Sequence, residues 1–80
     1  MKINLALFGI AREIVGQSSL TLDAPTGQSA AGLLADLRRA YPELAGLRSL
    51  AVAVNNEYAA DDVVLHERDE IALIPPVSGG

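Results

Sequence analysis

The sequence ends in Gly79-Gly80, and a terminal glycine pair can present its own carboxylate as a reactive group. Glycine has no Cβ, so such a segment can enter a narrow channel and adopt dihedrals closed to other residues. The preceding Pro75-Pro76 pair should stop a strand and start this segment extended. Residues 75–80 can span roughly 20 Å at about 3.3–3.6 Å each. We therefore expect Gly80 to deliver a carboxylate into a partner enzyme, with Gly79 permitting entry; the alternative is a frayed chain end.

Composition excludes several kinds of chemistry within the chain itself. With 80 residues the chain is one small domain, which we place at residues 1–74, followed by a flexible tail at 75–80. There is no cysteine, which excludes a disulfide framework, a thiolate metal site and a thiol nucleophile. His66 is the only histidine, so a histidine metal cluster is excluded and we assign it to a turn. We expect no metal site and no cofactor bound by this chain.

Charge and hydropathy limit the partners. The net charge is −4, from six basic and ten acidic residues, and this argues against nucleic acid, which requires a basic patch. The acidic residues gather at 61–62 and 67–70, either as solvated turns or as a face that steers the chain toward a basic partner. No apolar run has the length of a membrane span and no signal pattern precedes the first strand. The sequence predicts a cytoplasmic protein without a membrane partner.

The hydrophobic pattern predicts strands at 2–8, 20–22, 50–54 and 70–74, short apolar pieces at 58–59 and 63–65, and one amphipathic helix at 28–41. Thr26 is the first choice for the helix N-cap, Ser29 is the alternative, and Pro42 should end the helix. Residues 43–49 are predicted to be a connection. This order predicts an α+β fold of the ubiquitin-like β-grasp type, a mixed sheet with one main helix across one face. Its first and last strands should lie side by side at the centre.

Strand phase predicts which residues lie on each face of that sheet. One phase faces the helix: Ile3, Leu5, Leu7, Leu20, Leu22, Val52, Val54, Ile71 and Leu73. The other phase gives Ala6, Phe8, Ala51, Ala53, Ala72 and Ile74. A solvated sheet face is usually polar, whereas this one is small and apolar. We therefore expect a partner site on this face, which Tyr58 could extend; the alternative is a covering loop or an inverted phase.

Several segments resemble one family, the small subunits of molybdopterin synthase, which are ubiquitin-like sulfur carriers. They are Phe8-Gly9-Ile10-Ala11-Arg12-Glu13, the helix, Val52-Ala53-Val54-Asn55, Asp69-Glu70-Ile71-Ala72-Leu73-Ile74 and Pro75-Pro76-Val77-Ser78-Gly79-Gly80. The terminal segment is the most specific of these. Gly9 departs from the family, which often has alanine there, a change that we expect to be minor.

The resemblance implies a mechanism. An ATP-dependent adenylating enzyme would convert Gly80 to an acyl-adenylate, and a persulfide would displace AMP to leave a thiocarboxylate. The large synthase subunit would then receive the tail, and the sulfur would attack a cyclic pyranopterin monophosphate in molybdenum cofactor biosynthesis. The implied assembly is a heterotetramer whose catalytic groups lie mainly on the large subunit. Phe8, Tyr58 and Ile74 are implied as contacts to both partners, and Arg12 as a contact to the activating enzyme. The alternative for Arg12 is an exposed arginine that pairs locally with Glu13 or with nothing.

Three other functions remain open. The chain could carry sulfur for thiazole or thiolated-tRNA synthesis, although the Pro-Pro-Val-Ser segment before Gly79 favours molybdopterin. It could be a ubiquitin-like protein modifier; its single lysine, Lys2, disfavours chain-building on itself. It could also be a non-reactive interaction domain whose terminal glycines are accidental.

Overall fold

The computed structural model describes residues 1–47 and 50–75 of the chain. Its elements, in chain order, are β1 (Lys2–Leu7), α1 (Gly9–Val15), β2 (Ser19–Asp23), α2 (Ala30–Ala40), α3 (Pro42–Ala45), β3 (Ala51–Val54), β4 (Glu57–Tyr58) and β5 (Ile71–Ile74). The five strands form one mixed sheet in the order β2-β1-β5-β3-β4. The α+β class and the mixed sheet that the sequence predicts are thus confirmed.

The first and last strands occupy the centre of the sheet and run parallel, with Leu5 opposite Ile71 and Leu7 opposite Leu73. The other pairings, β1 with β2, β5 with β3 and β3 with β4, are antiparallel. Because β5 runs parallel to β1, its carboxyl end lies at the same end of the sheet as the start of α1. Pro75, which directly follows β5, therefore lies beside Gly9 at the start of α1.

The core lies between the sheet and α2, and α2 has the predicted apolar face. Ala30, Leu33 and Leu37 are buried on that helix, and Leu34 and Tyr41 pack against the core at its margin. The sheet contributes the phase that the sequence assigns to the helix side. Its buried members are Ile3, Leu5, Leu7, Val52, Ile71 and Leu73, and Leu20, Leu22 and Val54 are partly buried against them. The strand phase is therefore correct.

The start of α2 differs from the first prediction. The N-cap is Ser29, whose Oγ accepts a hydrogen bond from the Gly32 amide at 3.1 Å, and not Thr26. Gln28 N–H donates to the Pro25 carbonyl at 3.1 Å and Gly27 has a φ of +90°, so a separate turn precedes the helix. Ser29 also forms a β-bridge with Val64, which keeps its backbone extended and delays the first helical residue.

The segment after α2 also differs from prediction. Pro42 ends α2 as expected, but it also opens the short helix α3 at Pro42–Ala45, where the sequence predicts only a connection. Proline is favoured in a first helical turn because the amide that it lacks would have no helical partner there. Leu44 of α3 is fully buried and anchors this turn to the core.

Candidate functional site

The sheet face opposite α2 carries an apolar surface, which we call the open-face patch: Ala6, Phe8, Ala53, Tyr58, Ala72 and Ile74. These residues line a shallow cavity of about 380 Å³ together with Asn56, Glu70 and Ile71. Phe8 is 50% exposed and Tyr58 75% exposed, although both are large aromatic side chains. The predicted apolar face therefore exists, no described segment folds over these two rings, and Tyr58 does extend it.

Strand register explains the shape of the open-face patch. Ala72 lies opposite Ala6 on one side and Ala53 on the other, so three small side chains form its floor. Tyr58 lies opposite Ala53 on the edge strand β4, and Phe8 follows the end of β1. A floor of alanines between larger rims leaves a concave apolar surface. Ala51, which the sequence also assigns to this face, is half-buried opposite Ile74 and does not line the cavity.

A tight turn positions Tyr58. Asn55 and Asn56 have φ values of 53° and 68°, the left-handed region that a two-residue hairpin turn requires, and they connect β3 directly to β4. The Asn55 side chain accepts from the Glu70 amide at 3.0 Å and donates to the Asp69 carboxylate at 3.1 Å. These bonds attach the turn to the start of β5 and fix one rim of the open-face patch.

Asp69 is the ionisable group with a perturbed pKa in this region. The backbone N–H of His66 donates to its carboxylate at 2.9 Å, and Asn55 donates to the other oxygen. Hydrogen bonds to the ionised form lower the pKa of Asp69 below its usual range, against a smaller opposing effect of burial. His66 itself is exposed in the turn that the sequence assigns to it. This network organises the loop before β5.

Gly9 joins β1 to α1 and contacts the start of the tail. Its φ is +54°, and a Cβ built there would lie 3.0 Å from Cγ of Pro75. Side chains rarely occupy that φ region, and a Cβ at 3.0 Å would crowd the Pro75 ring. The backbone conformation and the approach of Pro75 therefore both favour glycine at this position, and the small effect expected for the departure from alanine stays a prediction. Sequence reasoning missed it because neither φ nor the contact is readable from a single residue type.

Arg12 lies on α1, one turn after Phe8, with its amide bonded to the Phe8 carbonyl at 3.3 Å. Its side chain is exposed. Within residues 1–47 and 50–75, no hydrogen bond or ion pair to Glu13 or any other residue engages its guanidinium. The structure thus places an exposed cationic residue on α1, one turn after Phe8. Its role as a partner contact stays a prediction.

The tail glycines Gly79 and Gly80 lie outside the described residues, as does the predicted flexible segment apart from Pro75. In the described part of the chain, no three His, Cys, Asp or Glu side chains come together as a metal site would need. None of the helices in that part is long and apolar enough to cross a membrane. What the described site offers chemically is a docking surface at the root of the tail. Asn56 and Glu70 are lining residues that the sequence did not single out.

Comparison with known proteins gives the family. The model of the ThiS family matches residues 5–80. The molybdopterin synthase sulfur carrier subunit of Arabidopsis thaliana is 42% identical over 100% of this chain and 84% of its own length. The small archaeal modifier protein 1 of Haloferax volcanii superimposes with a TM-score of 0.80 at 26% identity, over 95% of this chain and 98% of that one.

A chain from the complex of subunits 1 and 2 of the molybdopterin-converting factor of Helicobacter pylori superimposes with a TM-score of 0.64. It is 25% identical, and all of both chains is covered. These likenesses extend over the whole β-grasp sheet, including the strand that leads into the tail. The family match covers nearly the full sequence and the identity to the plant relative is high over the same length, so this chain belongs to the ThiS family of ubiquitin-like proteins.

Proposed function

We propose that this protein is the sulfur carrier subunit of a molybdopterin synthase and that Gly80 is its reactive residue. Full-length identity of 42% to the plant sulfur carrier subunit is the observation that carries the proposal. The fold supports it, because the strand that leads to the tail ends at an exposed apolar surface. Residues 1–74 would serve as the docking domain and 75–80 as the segment that presents the reactive terminus. The reaction would take place in the cytoplasm.

The chemistry of the proposal needs an activated terminus. A carboxylate is a poor acyl donor because its oxygen is a poor leaving group. Transfer of AMP from ATP to the Gly80 carboxylate, with release of pyrophosphate, turns that oxygen into a good leaving group. The terminal sulfur of a persulfide donor then displaces AMP to form an acyl disulfide. A second thiol, of the donor or of the adenylating enzyme, attacks the donor sulfur of that S–S bond, which releases the thiocarboxylate on Gly80 and leaves a disulfide on the enzymes. Because the chain has no cysteine, no internal thiol competes for the activated carbonyl.

The open-face patch would dock both partners in turn. Phe8, Tyr58 and Ile74 would be buried against the adenylating enzyme during charging and against the large synthase subunit during transfer. Arg12 would contact an acidic group of the adenylating enzyme. The likeness to a chain of the Helicobacter complex supports a large-subunit partner, and a heterotetramer of two small and two large subunits is part of the proposal. The large subunit would supply the acid–base groups and the site for the pyranopterin substrate.

Two tail variants test the role of Gly80. Deleting Gly80, or adding one residue after it, should abolish thiocarboxylate formation with ATP, adenylating enzyme and a persulfide donor. Neither change should lower the melting temperature, because we expect the terminal glycines to contribute little to the stability of the domain. Normal charging of the extended variant would show that the terminus is not the reactive group. A large fall in melting temperature would show that the tail is structural.

A second function is favoured by one observation, the likeness to small archaeal modifier protein 1 at a TM-score of 0.80. A modifier uses the same activated terminus but transfers it to a lysine amine of a target protein. The two functions differ in their products. Covalent conjugates that depend on Gly80 and resist thiol treatment indicate a modifier, whereas a free thiocarboxylate consumed by the large subunit indicates a sulfur carrier.

A further inference from the structure

The two edge strands of the sheet differ in length. The edge strand β4, beside the open-face patch, spans just Glu57–Tyr58. The opposite edge strand β2 spans Ser19–Asp23, and its burial alternates between exposed and half-buried residues. Short edge strands resist further pairing, whereas a longer regular strand presents a row of free amides and carbonyls. The edge at β2 therefore remains open to an added strand.

The register fixes which backbone groups that edge presents. Leu7 N–H bonds to the Ser18 carbonyl at 2.9 Å and Ala24 N–H to the Met1 carbonyl at 2.8 Å. Hydrogen-bonded pairs alternate along an antiparallel ladder, so Leu20 and Leu22 also bond inward to β1. The remaining residues, Ser19, Thr21 and Asp23, point their N–H and C=O groups outward. No other segment within residues 1–47 and 50–75 bonds to these groups.

We propose that β2 pairs antiparallel with β2 of a second copy of this chain, about a two-fold axis at Thr21. This register places Thr21 opposite Thr21 of the second copy and Ser19 opposite Asp23, so every outward backbone group of the three residues gains a partner. The facing side chains suit each other, because two threonines meet at the axis and a hydroxyl meets a carboxylate at each end. No like charges lie directly opposite.

Local charge also permits this pairing despite a net charge of −4 on each copy. The Asp23 carboxylate is 3.0 Å from the Lys2 ammonium. Asp36, which lines a small apolar groove beside β2 together with Leu22, is 3.1 Å from the Arg39 guanidinium. The carboxylates of Asp23 and Asp36 are therefore both paired within the chain. The open-face patch begins at Ala6, which lies opposite Ser19, and extends away from β2 to Tyr58 on the opposite edge strand. Edge pairing at β2 uses backbone groups that the patch does not contain, and it does not depend on the proposed function.

A charge exchange at the axis tests the proposal. Thr21→Lys places two ammonium groups opposite each other and Thr21→Glu places two carboxylates, so each variant alone should have its dimer dissociation constant raised several-fold in sedimentation equilibrium. An equimolar mixture should restore association, because opposite charges then meet at the axis. Thr26→Lys and Thr26→Glu change the same charges on an exposed loop residue and should associate like the unaltered chain.

Amide hydrogen exchange gives a second measurement on the unaltered chain. The proposal predicts that exchange at Ser19, Thr21 and Asp23 slows as protein concentration rises, while Leu20 and Leu22, already bonded to β1, change little. A monomer at every concentration would overturn it. A dimer whose Thr21→Lys and Thr21→Glu variants associate unchanged, or whose protection falls on Phe8 and Tyr58, would overturn it as well.

Discussion

Gly9 is the residue that connects backbone conformation to the direction of the tail. It combines a φ of +54° with close approach of Pro75, whereas Gly16 has a φ of +83° and nothing within 4 Å of a built Cβ. A Cβ at either site incurs left-handed strain of about 1–2 kcal/mol. At Gly9 alone it also meets the proline ring. Comparing substitutions at the two glycines therefore distinguishes the effect of backbone strain from the effect of contact with Pro75.

Gly9→Ala should therefore destabilise the fold more than Gly16→Ala, which serves as its matched control. In denaturant unfolding, Gly16→Ala should lower the free energy of unfolding by about 1–2 kcal/mol, and Gly9→Ala should lower it by more. Adding Pro75→Ala should recover the excess, because it removes the Cγ atom that the new Cβ would meet. Equal losses at the two glycines, with no recovery in the double variant, would show that Pro75 does not constrain this position.

Asp69 should make the stability of the fold depend on pH. Its folded-state pKa is lowered from 3.8 by hydrogen bonds to the ionised carboxylate, chiefly from the His66 amide. A lowered folded pKa contributes stability that is present above the unfolded pKa and is lost as pH falls through the folded value. The stability difference between the unaltered chain and Asp69→Asn should therefore be constant near neutrality and shrink below about pH 4. Urea melts across pH measure this; a difference that stays constant down to about pH 3 would show that the hydrogen bonds to Asp69 do not favour its ionised form.

Among the elements, α2 depends on one cap. Ser29 Oγ accepts the Gly32 amide, whereas Thr26 lies in the preceding turn and is exposed. Ser29→Ala should cost about 1 kcal/mol of unfolding free energy, the usual effect of a lost N-cap. Thr26→Ala is the matched control and should be within about 0.5 kcal/mol of the unaltered chain. The reverse order in denaturant melts would mean that the helix begins at the earlier residue.

Substitutions on the two faces of the central strands should affect different properties, stability on one face and docking on the other. Phe8→Ala and Ile74→Ala should each weaken binding to the large subunit by more than about 1 kcal/mol, as expected for apolar anchors at an interface centre. Leu5→Ala and Leu73→Ala, on fully buried positions, should instead cost about 2–5 kcal/mol of stability. Titration calorimetry paired with denaturant melts distinguishes the effects. If Phe8→Ala unfolds the domain but leaves binding per folded molecule unchanged, the patch is not a docking surface.

At the scale of the whole molecule, the periodicity of the sequence predicted which residues of the strands and of α2 face the core. It did not predict the segments and contacts that connect these elements. Alternation in β1 and β5 placed Leu5 and Leu73 inside and Phe8 and Ile74 outside, because side chains of a strand face opposite sides in turn. The helix face of α2 followed in the same way from its spacing. The choice of Ser29 over Thr26 as N-cap, helix α3 and the Gly9–Pro75 contact were not predicted. Each depends on a tertiary neighbour: Val64, the core around Leu44, and the end of β5.

The central claim is that Gly80 becomes a thiocarboxylate, and the intact mass of the chain tests it most directly. The full chain is incubated with ATP, the adenylating enzyme and a persulfide donor, and its mass is then compared with that of the untreated chain. The account predicts that one oxygen is replaced by one sulfur and that fragmentation places the sulfur on Gly80. An unchanged mass, under conditions in which the same enzymes charge a known sulfur carrier, would contradict it.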